Sequence, residues 1–167
     1  MEGPTAGGSG PAGPSEPAEQ VAVLQDATRV LTGVALRSLT VLGGAVTLAQ
    51  FRVLAVLADL GRARSAQVAR ALGLDASTVT RLADRLVAAG HVIRGSDPAH
   101  RSVVTLEITS SGQELVAQVA AARERELGRL LDSMPPDRRE AIIVALRQLV
   151  QAAGEGYGAP AERAVLL

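Results

Sequence analysis

The chain has no cysteine, no lysine and no tryptophan, and it has one phenylalanine and one tyrosine among 167 residues. The absence of cysteine excludes a structural disulfide, a thiolate metal site and a thiol redox sensor. The scarcity of aromatic residues leaves Leu, Val, Ile and Ala to build the core, which suits helices better than a β-sandwich. The length is sufficient for one domain with a substantial core.

A net positive charge is also lacking, because 17 basic residues balance 17 acidic ones. The chain therefore has no overall positive electrostatic field that would indicate a nucleic-acid partner. Every basic residue is Arg, the side chain best suited to phosphate and guanine recognition. A GC-rich genome also encodes its basic residues as Arg, and the abundance of Ala, Gly and Val makes codon usage the better explanation.

Signals for export or membrane insertion are missing as well. The N-terminus is rich in Gly and Pro rather than apolar, so no cleavable signal peptide is predicted. The stretch from Val30 to Ala49 is fairly apolar, but Arg37 interrupts it and Gly43-Gly44 breaks it. We therefore expect a cytoplasmic protein without a membrane span.

The segment from Val68 to Leu82 is the most informative part of the sequence. Its apolar and small residues are spaced as two short crossing helices with a shared core require. Gly73 can end the first of these helices in the left-handed conformation, and Asp75 or Ser77 can cap the second. The pattern predicts a helix-turn-helix and makes recognition of DNA the leading hypothesis.

A wing is predicted directly after this motif. Residues 91–94 form a short strand candidate, and a turn-rich loop covers residues 95–100. Residues 103–108 alternate, with Val104, Leu106 and Ile108 on one face and Val103, Thr105 and Glu107 on the other. This alternation predicts a half-buried strand. The fold class is therefore mainly α with a small β-wing.

Helical periodicity accounts for most of the remaining chain. Capping boxes are predicted at Thr47 with Gln50 and at Ser110 with Gln113, and Ser65 is expected to cap the first helix of the motif. Pro136 suits the first turn of the last helix. Helices are predicted at about residues 19–42, 47–60, 66–72, 76–89, 110–131 and 137–153.

These elements divide the chain into regions with different expected roles. Residues 1–18, with five Gly and four Pro, are predicted to be a disordered tail, and residues 155–167 a loosely ordered one. Between them lies a domain, 19–154, whose DNA-binding lobe covers 47–109. The helices at 19–43 and 110–154 carry more apolar surface than one small lobe can cover, so we expect them to form a homodimer interface.

From about residue 20 to 153 the chain resembles the MarR (multiple antibiotic resistance regulator) family. The resemblance rests on Leu48–Leu57, Gln67–Leu74, the string Ser-Thr-Val-Thr-Arg-Leu-Ala-Asp-Arg-Leu from Ser77, Val92–Arg94, and Leu106–Gly112. One departure concerns the wing, where the family usually carries Asp-x-Arg. Here that position reads His100-Arg101-Ser102, with Asp97 three residues earlier, so the usual brace of the wing is absent or rebuilt.

Candidate DNA-contacting residues follow from the spacing of the second helix of the motif. Its apolar residues face inward, which leaves Ser77, Thr78, Thr80 and Arg81 toward DNA. Arg81 can bind guanine through two hydrogen bonds, whereas Ser77 and Thr78 can contact DNA, cap the helix, or do both. Arg85 either contacts phosphate or forms a structural ion pair. The wing adds Arg94, His100, Arg101 and Ser102.

His100 can gain a charge near neutral pH, or it is an uncharged surface residue. Between Thr47 and Thr109, eight Arg against five acidic residues leave a local charge of +3, which favours phosphate. No arrangement of residues indicates an enzyme, and neither a metal nor a cofactor is expected.

The resemblance further implies transcriptional repression that a small lipophilic or aromatic ligand relieves. The ligand-binding residues are not singled out by the sequence. A dimer would place two recognition helices on double-stranded DNA with a pseudo-palindromic operator. The alternative, favoured slightly by the neutral charge and the altered wing, is a helical dimer of the same fold that acts through protein partners.

Overall fold

A computed structural model describes residues 16–97 and 103–154. These residues form six α-helices, a short 3-10 helix and three short strands. In chain order the elements are α1 (Glu16–Ser38), the 3-10 helix (Leu39–Leu42), α2 (Leu48–Leu60), β1 (Ala63–Arg64), α3 (Ser65–Leu72), α4 (Ala76–Ala88), β2 (Val92–Ser96), β3 (Val104–Ile108), α5 (Ser110–Asp132) and α6 (Pro136–Ala153).

Helix α1 begins three residues before its predicted start and ends before its predicted end, where the chain tightens into the 3-10 helix. The chain divides into two units, residues 1–33 and residues 34–167. In the described part of the first unit, Asp26 pairs with Arg29 along the helix. Five large apolar side chains are exposed there, namely Val21, Val23, Leu24, Val30 and Leu31.

Helices α2, α3 and α4 form the predicted helix-turn-helix lobe around an apolar core. Phe51, Leu54 and Leu57 of α2 are almost completely buried, as are Val68 of α3 and Leu86 of α4. Burying a side chain of this size contributes about 1.5–3 kcal/mol to folding. The crossing of α3 and α4 is therefore fixed by apolar contact with α2.

The turn between α3 and α4 matches its prediction. Gly73 adopts a φ of 65°, in the left-handed region that glycine occupies without strain. The backbone N–H of Leu74 then donates to the carbonyl oxygen of Ala69 over 3.0 Å, which satisfies one of the last carbonyl groups of α3.

The predicted helix caps are confirmed at α2 and, with Asp75, at α4, and they are wrong at two other helices. Thr47 and Gln50 form the expected capping box, with hydrogen bonds of 3.3 and 2.8 Å. Ser65, however, lies inside α3 and Arg64 precedes it as the cap residue. Helix α5 is capped by Thr109, not by Ser110, because Thr109 keeps the extended backbone of the preceding strand and its hydroxyl accepts from the Gly112 N–H.

The strands form one antiparallel sheet in the order β1-β3-β2. The wing hairpin pairs Val92 with Ile108 at its base and Ser96 with Val104 at its far end. Strand β1 was not predicted, because two residues show no alternation that a sequence could reveal. It pairs Arg64 with Thr105, so β3 is the central strand.

The predicted inner face of β3 is confirmed at Leu106 and Ile108, which are buried, but two other positions of the strand differ from the prediction. Thr105 is buried although it was assigned to the polar face, and Val104 is 53% exposed although it was assigned to the core. Val104 lies at the far end of the hairpin, where the lobe no longer covers it. Thr105 lies between Arg64 and Gly95, and a Cβ on Gly95 would approach its hydroxyl oxygen to 3.2 Å.

Helices α5 and α6 follow the wing. Val119 of α5 is buried against the lobe, whereas none of the residues of α6 is buried. Pro136 occupies the first turn of α6, as predicted. Across the described ranges, no helix combines the length and apolar character that crossing a membrane requires. The apolar residues left most exposed on α6 are Val144, Leu149 and Val150.

Candidate nucleic-acid interface

Helix α4 presents one polar face to solvent. Val79, Ala83 and Leu86 are completely buried on its inner side. The predicted contact residues Ser77, Thr80, Arg81 and Arg85 are exposed, and Thr78 is half-buried at the start of the helix. The structure therefore brings together the part of the predicted site that lies on α4.

Asp75 organises the first turn of this helix. Its Oδ1 accepts hydrogen bonds from the Thr78 N–H over 2.8 Å and from the Ser77 hydroxyl over 2.5 Å. Its Oδ2 accepts from the Thr78 hydroxyl over 2.6 Å. These bonds, led by the one from Ser77, hold the pKa of the exposed Asp75 carboxyl well below its usual range. Asp75 is thus an ionised cap, and both hydroxyl groups support it.

Thr80 is exposed but its hydroxyl proton is directed along its own helix. The Oγ1 atom donates to the carbonyl oxygen of Ala76 over 2.8 Å, as threonine often does within a helix. The side chain therefore offers DNA its methyl group and a lone pair.

Arg81 and Arg85 lie four residues apart and so share one side of α4. The Nη2 atom of Arg81 donates to the Thr78 hydroxyl over 3.3 Å. Neither arginine has a carboxylate partner within the part of the chain that the structure describes. The neighbouring Asp84 pairs instead with Arg94 of β2, and the described residues contain no ion pair of Arg85.

Arg94 is therefore partly neutralised by an exposed carboxylate on α4. The remaining predicted wing residues, His100, Arg101 and Ser102, lie outside the described residues. Of the predicted cations, the structure places Arg81 and Arg85 together on α4 and Arg94 beside them on the wing hairpin.

Arg64 and Asp97 form a contact that sequence reasoning missed. The Nη2 atom of Arg64 lies 2.5 Å from Oδ2 of Asp97, and its Nε lies 3.2 Å from the same oxygen. Asp97 also donates its backbone N–H to the carbonyl oxygen of Val103 over 2.9 Å, which closes the base of the wing loop. The partners are 33 residues apart, so no local pattern could have revealed the pair.

A second missed cation, Arg123, lies on α5, outside α4 and the wing. Arg123 of α5 is half-buried, and its Nη2 lies 3.5 Å from the hydroxyl of the buried Ser38. Its Nε is buried and has no hydrogen-bond partner among the described residues, and burial lowers the pKa of the Arg123 guanidinium. Within residues 16–97 and 103–154, no three His, Cys, Asp or Glu side chains lie close enough to hold a metal ion.

Comparison with known proteins agrees with this architecture. A model of the MarR family matches residues 46–101, which include α2, α3, α4 and β2. The chain is 33% identical over 107 residues to the HTH-type transcriptional repressor NicR of Pseudomonas putida. That match covers 63% of this chain and 66% of NicR, so the chain spans just under two thirds of this relative.

Solved structures match over more of the chain. Rv1404 of Mycobacterium tuberculosis has a TM-score of 0.72 and 31% identity, covering 87% of this chain and 99% of that protein. Bordetella bronchiseptica BpsR, whose DNA binding is regulated by 6-hydroxynicotinic acid, has a TM-score of 0.52 and 28% identity, covering 84% of this chain and 97% of that protein. The chain belongs to the MarR family of winged helix-turn-helix transcriptional regulators.

Proposed function

We propose that this protein is a sequence-specific regulator of transcription that binds double-stranded DNA through α4 and the wing. The observation that carries the proposal is the exposed face of α4, where Arg81 and Arg85 have no carboxylate partner in the described structure. A helix of this kind fits the major groove of B-DNA. The similarity to NicR supports repression rather than activation.

The two arginines suit different tasks. Arg81 follows the first turn of α4, the part of a recognition helix that approaches base edges. Its planar guanidinium can donate two hydrogen bonds to O6 and N7 of guanine. Arg85 lies one turn further along the helix and suits a phosphate contact, which contributes affinity without base preference.

A homodimer would complete the binding unit. Helix α6 has no buried residue, and Val150 is 72% exposed, so its apolar face needs a cover. The apolar side chains of α1 support the same proposal independently. A second copy would bring two α4 helices onto half-sites about 34 Å apart on a pseudo-palindromic operator. Such a regulator would act in the cytoplasm, where it meets DNA.

Control by a small aromatic or lipophilic acid is the regulatory part of the proposal. BpsR, which is regulated by 6-hydroxynicotinic acid, supports this class of ligand. Arg123 supports it from within the chain, because a desolvated guanidinium without a carboxylate partner among the described residues favours an anion. Such a ligand can change DNA affinity only if it binds one conformation of the dimer more tightly than another.

The alternative is a helical dimer that acts through protein partners. The neutral overall charge favours it, and three of the lobe's arginines are already paired with carboxylates, namely Arg62, Arg64 and Arg94. The two proposals differ in their response to salt, since neutralisation of phosphates makes DNA affinity fall steeply as salt rises.

Selection of bound sequences from random duplex DNA tests the proposal. We expect enrichment of a pseudo-palindrome with half-sites about one helical turn apart, and an affinity for it that falls as salt rises. Titration of that complex with aromatic acids should release the DNA. Recovery of no preferred sequence, with equally weak binding at all salt concentrations, would contradict DNA recognition and leave the protein-partner alternative.

A further inference from the structure

We propose that Asp75 determines base specificity by holding the hydroxyl protons of Ser77 and Thr78, so that the side chains of the first turn of α4 offer DNA only acceptors. Such a turn selects base pairs that present an amino group in the major groove, which means cytosine N4 or adenine N6. The inference rests on the proposed function and specifies the operator chemistry that this function requires.

The positions of the protons follow from the distances and from chemistry. The Ser77 and Thr78 hydroxyl oxygens lie 2.5 and 2.6 Å from carboxylate oxygens of Asp75. An ionised carboxylate has no proton to give, so each hydroxyl must be the donor. Hydrogen bonds to a charged acceptor are about twice as strong as neutral ones, so the two protons are firmly held.

What the side chains of this turn still offer DNA is a set of lone pairs. Ser77 and Asp75 are exposed, and each keeps acceptor capacity beyond the bonds within the turn. Thr78 already accepts one hydrogen bond from Arg81 over 3.3 Å. Guanine and thymine present acceptors to the major groove and would face these lone pairs unfavourably, whereas the amino groups of adenine and cytosine would be complementary.

Arg81, which lies about one turn after the capping residues, offers hydrogen-bond donors instead of acceptors. Its guanidinium has donors only and suits guanine. Because it is hydrogen-bonded to Thr78, the acceptor turn and the donor fork reach the same half-site. The expected half-site therefore combines a guanine with a nearby cytosine or adenine, and the two preferences depend on different residues.

Asp75→Asn changes which side-chain groups of the first turn donate hydrogen bonds, but it keeps the helix cap. Asparagine is as good a helix cap as aspartate, and its carbonyl oxygen can still accept from the Thr78 N–H. Its NH₂ group replaces Oδ2 and donates to the Thr78 hydroxyl oxygen. The hydroxyl proton of Thr78 then turns outward, so the first turn gains a donor and should favour guanine or thymine.

Asp59→Asn is the matched control for charge. Asp59 is exposed near the end of α2 in the same lobe, and its replacement removes the same negative charge without touching α4. A second control repeats Asp75→Asn in a Ser77→Ala/Thr78→Ala background, where no hydroxyl remains to change direction. Thermal unfolding of each variant verifies that the lobe is folded.

The experiment is selection from random duplex DNA with the full chain and each variant, followed by affinity measurements on the selected duplexes. The parent should select cytosine or adenine close to the guanine whose enrichment depends on Arg81. Asp75→Asn should shift this position toward guanine or thymine by roughly threefold to tenfold, the range of one net hydrogen bond. Asp59→Asn should shift nothing, and the hydroxyl-free background should abolish the shift.

An unchanged base preference in a folded Asp75→Asn variant would overturn the inference, as would a parent that selects guanine or thymine at this position. Either result leaves DNA recognition itself intact. A parent chain that selects no sequence would instead contradict the proposed function, and the inference would fall with it.

Discussion

Arg64 and Asp97 join the start of α3 to the far end of the wing hairpin through a 2.5 Å ion pair. Arg64 is also held by the hydrogen bond from its backbone N–H to the Gln67 side chain, which fixes it against the first turn of α3. The family's usual wing brace is replaced here by His100-Arg101-Ser102. The pair between Arg64 and Asp97 gives this wing a different anchor, which reaches the helix-turn-helix itself.

Asp97→Asn should therefore weaken DNA binding, even though loss of a negative charge alone would strengthen it. The expected decrease is up to about fivefold, because exposed ion pairs contribute up to about 1 kcal/mol. Glu107→Gln is the matched control, since Glu107 of the central strand β3 pairs with Arg62, which lies just before β1. Fluorescence anisotropy with labelled duplex DNA should show equal or tighter binding for Glu107→Gln. Tighter binding by Asp97→Asn as well would show that the ion pair has no role in placing the wing.

Arg101→Ala should lower affinity for specific and generic DNA by similar factors. An arginine at the wing can enter a narrow minor groove, and without the family's Asp its contact should carry little base preference. Its loss should flatten the dependence of log affinity on log salt by about one unit of slope. Replacing His100 by Asp and Ser102 by Arg should tighten binding. An Arg101→Ala variant with the same DNA affinity as the parent at every salt concentration would show that the wing does not contact DNA.

Arg85→Ala should weaken binding to all sequences more than Arg94→Ala does. Arg85 has no carboxylate partner in the described structure, whereas Asp84 already neutralises part of the charge on Arg94. Loss of one phosphate contact should reduce the salt slope by about 0.9. Asp84→Asn should free Arg94 and raise generic affinity. Equal losses for the two arginine variants, with no effect of Asp84→Asn, would contradict this assignment.

Gly112→Ala should destabilise the fold, because its methyl group would lie 2.4 Å from the carbonyl oxygen of His91 and 2.7 Å from a side-chain carbon of Ile108. Overpacking of this kind costs about 1–3 kcal/mol. Gly128→Ala in the same helix is the control, since its new methyl group would meet no atom within 4 Å. It should stabilise the helix by about 0.5–1 kcal/mol. Urea unfolding at matched protein concentration measures both, and equal effects of the two variants would contradict the packing described for Gly112.

The fold could be predicted from the sequence wherever a signal was local and repeated. The spacing around Val68–Leu82, the capping box at Thr47 and the break at Gly73 each depend on residues within one or two turns. Strand β1 could not be predicted, because two residues have no period. Thr105 is buried because β1 pairs with it, so the failure to predict β1 led to the wrong prediction for Thr105.

The features of the candidate site could likewise be predicted only where the sequence signal was local. The inward positions of Val79 and Leu86 predicted which residues of α4 would be exposed. The partners of those residues depend on contacts across the chain, as with Asp84 and Arg94, or on proton positions, as with Asp75 and Thr78. Such details decide which side chains remain available for DNA, and the residue pattern alone does not contain them.

Arg81 is expected to hydrogen-bond to a base edge, whereas Arg85 is expected to contact phosphate and to add affinity without base preference. Affinities for the selected duplex and for a scrambled duplex, measured by fluorescence anisotropy at one salt concentration, test this difference most directly. Arg81→Ala should lower the ratio of specific to generic affinity, with a loss of about 1–3 kcal/mol in the free-energy difference between the two duplexes. Arg85→Ala, on the same face of α4, should lower both affinities and leave their ratio unchanged. An Arg81→Ala variant that keeps the ratio of the parent chain would contradict the account.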